Sequence, residues 1–280
     1  MRTSVIAAQV RKVNGHSTEL QPDLLAVEEP LEIRIGYGAI ENREQQNVSV
    51  TMRTPGNDFE LALGFLYTEG IITSYDQVES IQYCHDGKRP EEKDNVVRVE
   101  LHPAIVIDFK KLQRNFYSTS SCGVCGKSSI ESIRSDCKTV SQDSFSIPSA
   151  VIKTLPGKLA EHQTVFEHTG GLHAVALFDK DHEVALVRED VGRHNAFDKI
   201  VGAALIKKEL PLSTMIALLS GRASFELVQK AAMAGIPLLA AVGAPSSLAV
   251  SLAKEFGMTL IGFLRDERFN IYCGEERVLY

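Results

Sequence analysis

Short apolar segments alternate with helical segments through the last third of the chain, and this alternation constrains the fold more than any other feature. The apolar runs at 215–219, 237–242 and 258–264 are typical of strands that are buried on both faces. The segments between them, 225–234 and 247–256, carry apolar residues at helical spacing. The sequence therefore predicts an α/β fold with a mostly parallel central sheet, whose ligands would bind at the carboxyl ends of the strands.

The first hundred residues have a different pattern, which favours strands. β-branched and alternating apolar residues predict strands at 5–13, 31–35, 48–52 and 96–101. One helix interrupts them, because Asn57 followed by Glu60 has the form of a capping box and Gly70 can end the helix. Further along, we predict a strand pair at 172–178 and 183–187 with a turn at 179–182, and a helix at 195–208.

This change of pattern predicts three parts. They are a β-rich N-terminal domain at 1–115, a cysteine-bearing loop and connector at 116–144, and an α/β domain at 145–280.

The charge and the cysteine content exclude several classes of function. A net charge of -6 gives no basic field for nucleic acid. No apolar run approaches the roughly 18 residues that cross a bilayer, and the N-terminus has no signal-peptide pattern. The 5 cysteines are an odd number spread over a long chain, which argues against a secreted disulfide framework. We expect a cytoplasmic protein with reduced thiols.

Cys122 and Cys125 lie three residues apart between glycines, in the segment Ser121 to Gly126. Two thiols at this spacing can form a redox dithiol, half of a zinc site, or a nucleophile with a resolving partner. The spacing alone leaves these alternatives open.

Polar residues follow the predicted strands where ligands of such a sheet would bind. Ser220, Arg222 and Ser224 leave one strand and open a helix, Ser246 and Ser247 repeat the arrangement, and Arg265 follows the last strand. Free backbone N–H groups, hydroxyls and guanidinium groups at such turns suit an anion. We predict a phosphate-bearing ligand here, although small residues at a strand-to-helix turn also serve purely structural roles.

The stretch from Arg188 to Asn195 has the highest density of polar groups in the chain. It is either a capped helix start with an ion-pair network or a site for anion binding and proton transfer, to which Arg193 and His194 would contribute. Gly170, Gly171 and His173 lie just before the first strand of this region and are further candidates.

The order of the motifs resembles that of the formate dehydrogenase accessory sulfurtransferase family, often called FdhD. The resemblance runs from about Glu29 to Tyr272 and rests on PGNDFELALGFLYTEGII, SCGVCG, TGGLHAVAL, REDVGRHNAFDK, SGRASFELVQKAAMAGIP and GFLRDERFNIY. It implies that residues 145–280 have a cytidine-deaminase-like fold.

The resemblance also implies a function. Members of the family take a persulfide from a cysteine desulfurase and pass sulfur to the molybdenum bis(pterin guanine dinucleotide) cofactor, which then enters formate dehydrogenase. Cys122 would carry the persulfide and Cys125 would be its partner. The cofactor-binding surface would include Phe263, Leu264, Arg265, Asp266, Glu267 and Arg268. The cofactor would be a bound substrate, and we expect no tightly held cofactor. A C2 homodimer is the default expectation for such a carrier.

Two other classes of protein compete with this interpretation. A zinc nucleoside deaminase needs the motif His-x-Glu ahead of the motif Pro-Cys-x-x-Cys. In this chain Ser121 stands in place of the proline before the cysteine pair. Two residues after His173, where the glutamate would stand, the chain has Val175. A non-catalytic chaperone could bind the cofactor and use the cysteines for zinc or for dimer stability. A tetrahedral zinc ion needs four ligands, which this chain could supply only as a dimer.

Overall fold

The computed structural model describes residues 3–84, 94–107 and 146–280. Its α-helices are α1 (Asp58–Thr68), α2 (Ser149–Ala160), α3 (Thr164–Thr169), α4 (Arg193–Ile206), α5 (Phe225–Met233) and α6 (Ser247–Glu255). Its strands are β1 (Val5–Asn14), β2 (Ser17–Ala26), β3 (Glu29–Tyr37), β4 (Glu44–Arg53), β5 (Val78–Tyr83), β6 (Val96–Leu101), β7 (Ile147–Pro148), β8 (His173–Phe178), β9 (Val184–Asp190), β10 (Ile216–Leu219), β11 (Leu238–Ala241), β12 (Thr259–Gly262), β13 (Asn270–Cys273) and β14 (Val278–Leu279).

The N-terminal strands form two sheets in the described residues. β1 and β2 make an antiparallel ribbon, and the other sheet has the order β4-β3-β6-β5. Alternate residues of β3, namely Leu31, Ile33 and Ile35, are fully buried on one face of this sheet. α1 covers that face with Leu61 and Leu66, so the β-rich pattern of the sequence is confirmed here.

The C-terminal sheet is mixed, which corrects the prediction of a mostly parallel sheet. Its order in the described residues is β13-β12-β11-β10-β8-β9, and only the pairs β10–β11 and β11–β12 are parallel. The outer pairs β8–β9 and β12–β13 are joined by short turns, which bring each strand back antiparallel to the one before it. The central βαβ units that carry the candidate ligand residues have the predicted order of elements.

Helix α1 starts differently from the capping box that the sequence predicts. Asn57 has a left-handed backbone with φ of 58° and makes no side-chain cap hydrogen bond. Glu60 instead forms two hydrogen bonds with Arg188 of β9, at 2.6 and 2.8 Å. The carboxylate that could have capped α1 therefore joins this helix to the C-terminal sheet. The predicted end of the helix is confirmed, since Gly70 follows α1 with φ of 69°.

Helices α1 and α4 cross at two glycines. A Cβ on Gly64 would overlap the carbonyl oxygen of Asp198, and a Cβ on Gly202 would overlap that of Glu60. The backbones can approach this closely only because neither position has a side chain. α4 begins at Arg193, so this contact sets the direction in which the helix presents its first residues. No helix in the described ranges is long and apolar enough to cross a membrane.

Candidate functional site

The loops that follow β10, β11 and β12 are joined side by side by backbone hydrogen bonds. The N–H of Gly243 donates to the carbonyl of Gly221 at 2.8 Å, and that of Phe263 donates to the carbonyl of Gly243 at 3.0 Å. Ser220 is tied to β8, because its hydroxyl accepts from the N–H of Ala174 at 2.8 Å. The predicted positions 220, 222 and 263 are therefore neighbours in one surface, which we call the strand-end cradle (residues 220–226, 243–247 and 263–265).

Arg222 lies on the exposed side of the cradle. A Cβ on Gly243 would stand 2.9 Å from the Cα of Arg222, so glycine permits the close approach of the two loops. No carboxylate within the described ranges pairs with Arg222. A guanidinium group that is exposed and free of an internal ion pair suits an external anion.

The segment 263–268 contributes unequally to the cradle surface. Phe263 is 43% exposed and has a left-handed backbone with φ of 52°, a strained conformation for an aromatic residue. Leu264 is fully buried in the core, so its side chain does not contribute to a surface. Arg265 donates to the carbonyl of Val242 at 2.7 Å. The remaining residues, Asp266, Glu267 and Arg268, are exposed in the turn before β13.

Two histidines lie at the opposite end of the cradle from Arg265. His173 begins β8 and lies close to Gly221, whose Cβ would stand 3.3 Å from the Nδ1 atom. Burial and the charge of Arg193 lower the pKa of His173. His194 in the first turn of α4 has its Nε2 atom 3.3 Å from the hydroxyl oxygen of Ser224. Burial, together with Lys230 and Arg193, lowers the pKa of His194 to about 4, so this imidazole is neutral at neutral pH.

Arg193 lies beside these histidines at the start of α4. Its Nε atom is buried and has no hydrogen-bond partner within the described part of the chain. A buried donor without an acceptor is costly. An anionic ligand at this end of the cradle would supply the missing acceptor.

The rest of the stretch from Arg188 to Asn195 forms an internal polar network. The carboxylate of Glu189 accepts from the N–H groups of Val165 and Phe166 at 2.9 and 2.8 Å, which caps α3. Asp190 is fully buried and pairs with Lys199 at 2.7 Å. The alternative of an ion-pair network therefore holds for these residues, while Arg193 and His194 face the cradle.

Gly170 and Gly171 mark the exit from α3. Gly170 ends this helix with φ of 63°, a conformation that favours glycine. Gly171 is exposed and approaches β2, where a Cβ would stand 3.6 Å from the Cβ of Ala26. Gly170 therefore has a structural reason, whereas a side chain at position 171 would meet only ordinary van der Waals contacts.

Ser224 and Glu226 also belong to the cradle, and the sequence pattern did not single out Glu226. Ser224 precedes α5, and Glu226 lies in the first turn with an oxygen 3.9 Å from the Nε2 atom of His194. The available signal was an acidic residue in the first turn of a predicted helix, which is common as a capping feature. Cys122 and Cys125 lie outside the described residues. Within the described ranges, no group of three or more metal-ligating side chains is arranged to hold an ion.

The protein is a mixed α/β protein whose strand ends bring together two histidines, several hydroxyls and two arginines, Arg193 and Arg222, that have no carboxylate partner among the described residues. The chain belongs to the FdhD/NarQ family, whose model matches residues 26–279.

Relatives of this family match nearly the whole chain. The sulfur carrier protein FdhD of Mycolicibacterium paratuberculosis is 52% identical, over 92% of this chain and 93% of that protein. The protein of the same name from Streptomyces avermitilis is 48% identical over 96% of this chain and 94% of that protein, and the one from Sulfurisphaera tokodaii is 44% identical over 97% and 98%.

A solved structure has a similar fold. The crystal structure of a protein from Desulfotalea psychrophila, described as a formate dehydrogenase accessory protein, superimposes with a TM-score of 0.72 over 99% of this chain and 100% of that chain. The two sequences are 22% identical, so this comparison concerns the fold alone.

Proposed function

We propose that this chain is a sulfur carrier that serves the maturation of formate dehydrogenase. In this proposal Cys122 accepts sulfur as a persulfide from a cysteine desulfurase. The sulfur then passes to the molybdenum bis(pterin guanine dinucleotide) cofactor before insertion into the dehydrogenase. Relatives named sulfur carrier protein FdhD, which match more than nine-tenths of the chain, support the proposal.

The observation that carries the cofactor part of the proposal is the composition of the strand-end cradle. Arg193 and Arg222 have no carboxylate partner in the described part of the chain, and they flank loops that carry the hydroxyl groups of Ser220 and Ser224. The diphosphates of a guanine dinucleotide are acceptors of the kind that guanidinium groups bind best. Phe263, exposed at the rim, offers an aromatic face to a flat ring.

The sulfur step is balanced without an external oxidant. The Cys122 thiolate attacks the terminal sulfur of the desulfurase persulfide, the S–S bond breaks, and the desulfurase leaves as a thiolate. The sulfur on Cys122 then has two routes. In the first route the terminal sulfur passes directly to the metal of the cofactor, the S–S bond breaks, Cys122 leaves as a thiolate, and the metal supplies the two electrons that convert the transferred sulfur to sulfide. In the second route Cys125 attacks the Sγ atom of Cys122, forming a disulfide and releasing sulfide, whose two electrons come from the two cysteine thiols. Both routes agree with the sequence.

The proposal includes several features of the whole protein. We expect a cytoplasmic homodimer that meets the desulfurase and the dehydrogenase in turn and holds the cofactor only as a substrate. The division at 1–115, 116–144 and 145–280 and the cytidine-deaminase-like fold of the last part stay predictions.

Mass spectrometry after incubation with a cysteine desulfurase and cysteine tests the sulfur step. We expect the wild type to gain one sulfur atom on Cys122, because the carrier thiol must be nucleophilic and accessible. Cys122→Ala should lack this adduct and should fail to support formate dehydrogenase activity. The matched control is Cys273→Ala, because Cys273 is half-buried and burial raises the pKa of its thiol.

An adduct that persists in Cys122→Ala, or full dehydrogenase activity in a strain with only that variant, would contradict the assignment. Zinc bound in stoichiometric amount to the purified protein, without any sulfur adduct, would instead favour the non-catalytic chaperone.

A further inference from the structure

The ribbon of β1 and β2 has exposed apolar side chains along its length. Ile6 and Val13 of β1 are 58% and 63% exposed, and Leu20 of β2 is 64% exposed. Among the described strands these two pair only with each other, so each has an outer edge of unpaired backbone groups. A ten-residue edge with apolar side chains is a template on which a further strand can bind. Nearly the whole ribbon precedes residue 26, where the family model begins.

The outer edge of β2 is closed to such a strand. Pro22 has no N–H, and β1 and β2 pair without a break on both sides of it, so its backbone nitrogen points away from β1. Leu24, two residues further on, points the same way, and its N–H donates to the carboxylate of Asp23 at 2.9 Å. β2 also packs beside α3. Two outward donors of β2 are therefore missing or occupied, which is a common protection of edge strands.

The outer edge of β1 lacks this protection. Gln9 stands opposite Pro22, so the N–H and carbonyl of Gln9 also point away from the ribbon. The same holds for Ala7 and Arg11, because outward groups alternate along a strand. No proline interrupts β1, and no side chain among the described residues binds its outward N–H groups. The difference between the two edges leaves β1 as the one that can pair with a further strand.

The charge of β1 indicates what kind of strand fits. Arg11 and Lys12 are its charged residues, and it has no acidic one. Lys12 stands opposite Glu19 of β2, but Arg11 stands opposite the apolar Leu20. A second copy of β1 would bring only further cations. The edge also offers about 300 Å², well below the roughly 800 Å² that each partner buries in a stable interface. A transiently bound acidic segment agrees with both facts.

We propose that the outer edge of β1 docks an extended, acidic segment of a partner protein, which adds a third strand to the ribbon and places a carboxylate beside Arg11. Main-chain hydrogen bonds to the outward groups of Ala7, Gln9 and Arg11 hold the segment, and its alternate side chains provide specificity. Apolar side chains of the segment cover Val13, which lies on the same face of the ribbon as Arg11. This surface shares no residue with the strand-end cradle, so it does not depend on a ligand bound there.

Fluorescence anisotropy of a labelled nine-residue peptide, Val-Thr-Glu-Thr-Val-Thr-Val-Thr-Val, titrated with the full chain tests this surface. When the peptide lies antiparallel to β1 with its first residue opposite Val13, its glutamate stands opposite Arg11 and its valines share the face of Val13. We expect saturable binding of this peptide. A peptide with lysine in place of the glutamate should bind about three- to tenfold more weakly, because like charges then oppose each other.

Gln9→Pro removes the central outward N–H and leaves the hydrogen bonds between β1 and β2 intact. It should weaken binding of the glutamate peptide about tenfold or more at an unchanged melting temperature. The matched control Gln9→Thr keeps this N–H and should bind the peptide as the wild type does. Arg11→Glu should reverse the preference, so that the lysine peptide binds more tightly, and this variant decides the matter if Gln9→Pro fails to fold.

A wild type that binds neither peptide, or binds both alike, overturns the docking strand. Unchanged binding of the glutamate peptide to a folded Gln9→Pro variant overturns it as well. Sedimentation of wild type and variant separates the remaining occupant: a dimer that dissociates in Gln9→Pro, without any peptide binding, would assign the edge to a second copy of the chain and rule out the acidic partner.

Discussion

His194 lies where burial and neighbouring charges oppose its protonation. Its pKa falls from the ordinary 6.5 to about 4, with Lys230 and Arg193 adding to the effect of burial and Glu226 opposing it. The unfolded chain therefore binds a proton that the folded chain does not bind between these two pH values. Stability must then fall as the pH decreases from about 6.5 towards 4.

We predict that His194→Gln reduces this loss of stability on acidification. The measurement is the melting temperature of wild type and variant at a series of pH values between 7 and 4. The variant should lose fewer degrees than the wild type as the pH falls. Exposed His162 provides the control, since His162→Gln should leave the slope unchanged. Parallel curves for wild type and His194→Gln would show that the imidazole is not held neutral.

At the residue level the sequence predicted which loops lie side by side better than it predicted the partners of their side chains. Ser220, Arg222 and Arg265 were expected near one another because they follow strands of one predicted parallel sheet, and the structure places the loops that carry them side by side. The polar stretch before α4 was ambiguous, because only the structure shows that Glu189 caps α3. Such a contact joins residues more than 20 positions apart, and no local pattern encodes it.

The crossing of α1 and α4 is the contact between elements on which the site depends most directly. We predict that Gly64→Ala destabilises the protein by about 1 to 3 kcal/mol, because the added methyl group overlaps the backbone of α4 and must push the helices apart. Chemical denaturation measures this change. Since α4 carries Arg193 and His194, the affinity for GDP should fall as well.

Gly157→Ala is the matched control within another helix. A Cβ at Gly157 in α2 meets no atom of the described residues within 4 Å, so this substitution should stabilise the helix by about 0.5 to 1 kcal/mol. If Gly64→Ala were as stable as the wild type, the helices would not be in backbone contact.

The success of the element predictions follows the strength of the local pattern. α4, α5, α6 and the strands between them lie within a few residues of their predicted bounds, because long apolar periods specify them. β2 and α2 were missed. Pro22 interrupts β2, which tolerates it because each strand of a two-stranded ribbon is an edge, and Pro156 with Gly157 lies inside α2. The strand pair β8–β9 was predicted with its turn, and the structure confirms it. The antiparallel pairs β8–β10 and β12–β13 were missed because strand direction depends on connections that periodicity does not reveal.

At the scale of the whole molecule, buried polar networks join the N-terminal elements to the C-terminal sheet. Lys230 of α5 binds Asp198 of α4 at 2.8 Å. The hydroxyl of Thr68 in α1 donates a hydrogen bond to Asp198 and accepts one from Lys230, both at 2.9 Å. Asp190 and Lys199 are tied in the same way to the N–H and carbonyl of Thr54. Separating the two parts would leave buried charges without partners, which is strongly unfavourable.

We therefore predict that the described N-terminal and C-terminal parts unfold together, in one calorimetric transition whose van't Hoff and calorimetric enthalpies agree. Asp198→Asn should lower the stability of the entire transition by about 3 to 5 kcal/mol, because it leaves Lys230 buried without a charged partner of equal strength. Asp76→Asn is the matched control. Asp76 pairs with Lys208 at 2.6 Å, but both side chains are exposed, so this pair contributes about 0 to 1 kcal/mol. Two separate transitions in the wild type, or equal effects of the two substitutions, would mean that the buried network does not couple the two parts.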